Sequence, residues 1–158
     1  MGLGIPSELI PAKTGAVPAT VGQVARFFPF TGGTGAGFGD YRVGNVGTNS
    51  QGRISFDIPD DFGSLIELVL VGIPAASFTN QDIDLLSDYG AVGELKDANS
   101  EADTTSVRSG TADTILEYDI SGIFTAIEAG DYCGLQVDHN SIGVTVGYLG
   151  VRMRYNKA

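Results

Sequence analysis

One cysteine, one histidine and no tryptophan set the first limits on this chain of 158 residues. A lone Cys133 has no partner for an internal disulfide, and Cys133 with His139 makes no zinc set of Cys/His spacing. Without tryptophan the strongest aromatic platform for a sugar ring is missing. Long apolar runs are missing too, since none approaches the roughly 18 residues a membrane-spanning helix needs. The first residues show no basic stretch followed by an apolar one, and Pro6 breaks the myristoylation pattern. The expectation is a chain made in a cytoplasm and used without lipid or membrane.

Positive charge is scarce as well, and its placement says more than the net charge of −10. Residues 1–53 hold Lys13, Arg26, Arg42 and Arg53 against Glu8 and Asp40. Residues 54–150 hold only Lys96 and Arg108 against all the remaining acidic residues. The last eight residues carry Arg152, Arg154 and Lys157. An acidic body with mildly basic ends lacks the basic stripe that nucleic acid requires, so no direct nucleic-acid partner is expected.

Glycine is abundant: there are 23, with charged residues at only 18%. That balance favours strands joined by turns over a helical bundle. From residue 52 the alternation is regular. Ile54, Phe56 and Ile58 alternate with Ser55 and Asp57 and stop at Pro59. Residues 65–73 are apolar at both alternating sets, which predicts a central strand whose second face meets another layer or subunit. Ile83 and Leu85 alternate with Asp82 and Asp84, and residues 90–113 form a polar excursion with one edge strand. Leu116, Tyr118 and Ile120 share a face. Ile123, Phe124 and Ile127 then predict one or two helical turns closed by Gly130. Cys133, Leu135 and Val137 point inward on the next strand. The closing strand, "VTVGYLGVRMRY", sets Leu149, Val151, Met153 and Tyr155 on one face and Val144, Val146, Tyr148, Arg152 and Arg154 on the other. The expected fold is all-β, an antiparallel β-sandwich or jelly roll of about eight strands over residues 51–158.

Residues 1–50 differ. Four of the six prolines fall here, periodicity is weak, and short strands are expected only near 24–30 and 41–46. This segment reads as an extended Gly/Pro-rich N-terminal arm. Phe27, Phe28 and Phe30 must pack on the body or on a neighbour. Just beyond them, "GGTGAG" resembles the glycine-rich phosphate loop of tubulin-like GTPases. It lacks the lysine and following helix of a Walker loop and the G-x-G-x-x-G setting of a dinucleotide fold. The expectation is a hinge, with turns or positive φ from Gly32 to Gly39 and no cofactor.

Catalytic and metal signals are thin. Asp82, Asp84 and Asp88 lie in a loop-like spacing, but counting from Asn80 a calcium loop would need glycine at Leu85 and glutamate at Ala91. They are kept only as candidate metal ligands. Asp97, Glu101 and Asp103 read as a solvated loop. Cys133 and His139 would lie roughly 20 Å apart on one strand, which excludes a dyad within one chain. No carboxylate pair stands out, and no enzyme is expected.

The stretches "RISFDIPDDFGSLIELVLVGIP" and "LEYDISGIFTAIEAGDYCGLQV" with "VGYLGVRMRY" resemble the jelly-roll domains of phage and environmental viral proteins. They also resemble carbohydrate-binding jelly rolls, for which Tyr41, Tyr89, Tyr132 and Tyr148 are the candidate stacking rings. The viral resemblance implies a non-enzymatic virion structural protein, a capsid decoration or fibre protein located in the virion. Its partners would be itself, as a homotrimer, and the major capsid or another virion protein. Arg26, Phe27, Phe28 and Phe30 of the arm, with Tyr148, Arg152 and Arg154, would form the assembly interface, and a body cut free of residues 1–50 should still fold. Against this stands the reading that these side chains complete the chain's own core. The alternative function is a carbohydrate-binding or host-receptor-binding module, and a third is a small viral enzyme domain.

Overall fold

Period-two alternation, repeated in strand after strand, leaves each strand with one apolar face, and such faces are buried by stacking sheets. The computed structural model of the chain describes residues 22–30, 38–140 and 142–158. Its strands are β1 Gln23–Pro29, β2 Gly44–Val46, β3 Gln51–Asp57, β4 Phe62–Pro74, β5 Phe78–Asp82 and β6 Asp84–Gly90. They continue as β7 Asn99–Asp103, β8 Val107–Gly110, β9 Leu116–Asp119, β10 Tyr132–Asp138 and β11 Val146–Lys157. One sheet runs β1-β11-β4-β9, with β2 also on β11; a second runs β3-β10-β6-β7; β5 and β8 form a separate ribbon. Every pairing is antiparallel.

The core lies between the two larger sheets. Leu68, Leu70, Val151, Met153 and Tyr155 from the first meet Ile54, Phe56, Leu85, Tyr89, Leu135 and Val137 from the second. Phe28 of β1 packs on Phe56 of β3 at 5.2 Å between ring centroids, and Phe56 packs on Phe124 at 5.5 Å. The all-β antiparallel sandwich expected from alternation is therefore the observed architecture.

Three local features differ from expectation. The first is the phase of β11. Tyr148 pairs with Gly72 but Gly150 pairs with Val71, so Leu149 is an extra residue in the ladder. A bulge of this kind flips the parity of the residues beyond it. Val146 and Tyr148 therefore share the inner face with Val151, Met153 and Tyr155, whereas Leu149 turns outward onto Phe38, Val43 and Ile73. Gly150 sits at the kink with φ +156°, and a Cβ there would lie 2.1 Å from the carbonyl oxygen of Phe28.

The second is the expected one or two helical turns, which are one 3₁₀ turn, Ser121–Ile123. Asp119 Oδ1 accepts from the backbone N–H and hydroxyl of Ser121, tightening the chain into a turn before a helix can propagate. The third is the polar excursion, which holds two strands, β7 and β8.

Residues 23–30 and 44–46 belong to the first sheet. β1 pairs with Gly150–Asn156 of β11 and β2 with Val146–Tyr148, end to end along one edge. Phe30 lies in the main core, while Phe38 packs with Ile73 on the opposite face of the sheet. Of the stretch from Gly32 to Gly39, Phe38 and Gly39 fall among the described residues, Gly39 with φ +62°, and the rest of the expected hinge lies outside them.

Candidate functional site

The second face of β4 is covered within this chain. Val69, Val71 and Ile73 are buried, Ile73 beneath Phe38. Above Val69 and Val71 runs an ionic lattice. Arg152 on β11 reaches across β4 to Glu117 on β9, with contacts of 2.6 and 3.0 Å, and also binds Glu67 at 3.0 Å. Arg154 lies 3.4 Å from the same Glu67. Two candidate interface cations are thus engaged by carboxylates of their own chain.

The other candidate interface residues separate by burial. Phe30 and Tyr148 are core residues, and Phe28 packs against the core. Arg26 and Phe27 are exposed on the edge strand β1, Phe27 at 50%. The sequence pattern grouped the three phenylalanines because they are adjacent, but strand alternation sends Phe28 and Phe30 inward and Phe27 outward.

Asp82 and Asp84 lie close together where β5 gives way to β6. Burial, then the charges of Asp82 and Asp138, push the Asp84 carboxyl above its ordinary range, while Asn140 donates a hydrogen bond to it. Asp88 is four residues further along β6 and accepts instead from Ser100 at 2.7 Å. The structure therefore does not bring the three candidate metal ligands together, and no group of three His, Cys, Asp or Glu among the described residues is placed to hold a metal.

Of the cluster expected to be a solvated loop, Asp97 is exposed beside Lys96, whereas Glu101 and Asp103 tie elements together. Burial works against ionisation of Glu101, but hydrogen bonds from Thr125 and Tyr89 outweigh it and hold the carboxyl below its ordinary range. Asp103 behaves likewise through Arg108, at 2.7 Å, and Ser106. Cys133 is buried, and burial, with Asp131 and Asp57 nearby, pushes its thiol up to about 12. A thiol so held is inert as a nucleophile. His139 is fully buried with its Nε2 at 2.8 Å from the Tyr148 hydroxyl.

Among the described residues, the outer face of the second sheet is open. Register places Asp57, Tyr132 and Gly90 in one row, then Ser55, Gly134, Asp88 and Ser100, then Arg53, Gln136, Leu86 and Ala102. The loop after β6 walls the first row with Glu94, Leu95 and Lys96, enclosing an open depression of about 710 Å³. A second depression of about 190 Å³ covers the next rows. Of the four candidate stacking tyrosines, Tyr89 and Tyr148 are buried, Tyr41 lies elsewhere, and Tyr132 stands 64% exposed beside the larger depression. Arg53 is held by the side-chain carbonyls of Gln51 and Gln136 at 2.9 and 2.8 Å.

Most of these groove residues were not singled out in the sequence, because they are the outward positions of three strands far apart in the chain. The one local signal was "DYCGLQVD", whose outward set is Tyr132, Gly134 and Gln136: a ring, a gap and an amide.

No family model matches the sequence, and no curated protein matches it. Among solved structures, the chain is similar to the carbohydrate-binding module TmCBM61 in complex with beta-1,4-galactotriose. The identity is 11%, the coverage 71% of this chain and 68% of that one, and the TM-score 0.33, a level from which neither ligand nor site is carried over.

Proposed function

We propose that this chain is a non-catalytic binding module that takes a glycan on the outer face of the four-stranded sheet. The observation that carries the reading is Tyr132: a ring 64% exposed at the rim of an open depression lined by Asp57, Asp88, Glu94 and Lys96. A sugar ring offers an apolar C–H face to an aromatic and hydroxyls to carboxylates and an ammonium, and this rim presents both. The burial of Cys133 and His139 in the core supports a role without nucleophilic chemistry.

Affinity electrophoresis in gels containing soluble xylan, galactan, glucomannan or mixed-linkage glucan tests it. At least one polysaccharide should retard the wild type, and Tyr132→Ala should weaken that binding about tenfold, the upper range for one stacking ring. Because Tyr132 is exposed, the variant should melt as the wild type does. Retardation by none of the four, or unchanged binding by Tyr132→Ala, overturns the reading.

A second reading, assembly into a particle as a virion decoration or fibre protein, is supported by one feature, the exposed edge strand β1 with Phe27 on its outer side. Its test is the oligomeric state of the chain in solution.

A further inference from the structure

Gly134 has no structural reason to be glycine. It sits in the middle of β10, between β3 and β6, where glycine weakens a sheet by offering no side chain to pack. Its φ is not in the left-handed region. A Cβ at this position would meet nothing nearer than the Asp88 carbonyl oxygen at 3.7 Å, an ordinary contact. Other glycines paired within a ladder are explained by close packing: a Cβ on Gly44 would lie 2.0 Å from the Phe30 ring, and one on Gly110 2.7 Å from Phe78.

The space above Gly134 supplies the missing reason. Both depressions on this face are bordered by Ser55, Asp88 and Gly134, so they meet over this residue. On one side lie Tyr132 and Asp57, and on the other Gln136 and the clamped guanidinium of Arg53. Any side chain at 134 would stand up between them and divide one groove into two.

Resting on the glycan reading, we infer that Gly134 is the saddle of a continuous groove that holds an extended, uncharged glycan chain by at least two consecutive sugar units. One unit lies beside Tyr132 and the next crosses Gly134 toward Gln136, a run of roughly 13 Å along β10 at the usual strand rise, longer than one sugar ring. The chain is uncharged because Asp57, Asp88 and Glu94 outnumber Lys96 and Arg53 along the groove and would repel a polyanion.

The test is calorimetry with the mono- to tetrasaccharides of whichever of the four neutral polysaccharides is retained, and with polygalacturonate as the anionic probe. The wild type should gain at least tenfold in affinity from monosaccharide to trisaccharide. Gly134→Gln, an outward substitution, should melt as the wild type does and bind the trisaccharide no better than the monosaccharide. If that variant fails to fold, backbone amide shifts of the wild type with the trisaccharide decide: perturbation of Ser55, Gly134 and Gln136 supports the groove, and perturbation confined to Asp57 and Tyr132 overturns it. Length-independent binding, or full trisaccharide affinity in a folded Gly134→Gln, overturns the groove but leaves the Tyr132 site standing. Tighter binding of polygalacturonate overturns the uncharged ligand. Binding to none of the polysaccharides removes the Tyr132 site and the groove together.

Discussion

His139 shows how much a single side chain depends on its surroundings. As the end residue of an alternating stretch it reads as a strand terminus; in the fold it is fully buried, hydrogen-bonded to Tyr148. Burial raises the Tyr148 hydroxyl well above its ordinary range, so it stays protonated beside the neutral imidazole, and the two share one hydrogen bond. Burial pulls the His139 pKa down to about 4, against the opposing pull of Asp138 and the Val144 carbonyl. The unfolded chain takes up this proton near pH 6.5 and the folded one only near 4. Stability is therefore lost as pH falls through that window, by roughly 3 kcal/mol in full. Glu101 and Asp103, held below their ordinary range, lose their contribution only lower, below the unfolded carboxylate range, and Asp84, held above its own, has the opposite sign. The urea midpoint should fall between pH 7 and pH 5, and His139→Asn should be less stable but flatter over the same interval. A flat wild-type profile from pH 7 to 5 would contradict a buried neutral imidazole.

Elements were legible where their faces are chemically distinct. The inward sets of β3 and β10 follow directly from alternation, because one side is apolar and the other polar, whereas β6 yields only Leu85 this way: it buries Ser87 and Tyr89 and turns Leu86 outward. β11 was legible as a strand, but its phase was not: the bulge at Leu149 depends on the close approach of Phe28 to Gly150, a contact between residues far apart in sequence. Of β7 and β8 only one edge strand was expected, without bounds, because they are short and mostly polar, held by backbone pairing and by Tyr89, Thr125 and Arg108, whose partners Glu101 and Asp103 look like solvent-facing acids. β1 is the element on which the assembly reading now turns. Its Phe28, with Phe30 just beyond it, packs into the core, which leaves Phe27 exposed on a strand at the edge of the sheet among the described residues. If that edge joins copies of the chain, light scattering after size exclusion should give a trimer that Phe27→Asp converts to monomer. A wild-type monomer at all concentrations would end that reading.

For the whole molecule, a boundary at residue 50 cuts through a sheet. β1 and β2 complete one edge of β11, and Phe30 and Val46 are buried in the main core. Removing two such side chains alone costs roughly 5 kcal/mol, comparable to the stability of an ordinary domain. A chain beginning at residue 51 should therefore show no cooperative thermal transition by circular dichroism, whereas the full chain should. A fragment 51–158 that melts like the full chain would mean that β1 and β2 pack without contributing. From its residues alone, this protein was determined to be an all-β sandwich with an acidic body, because alternation and turn chemistry are local properties that survive in a linear reading. Only the tertiary structure decided that the N-terminal strands belong to the sandwich, that Arg152 and Arg154 are tied to Glu67 and Glu117, and that Tyr132, Gly134, Ser55 and Asp88 share one groove. Those are facts of register between strands far apart in the chain, and no single stretch of sequence encodes which strands become neighbours.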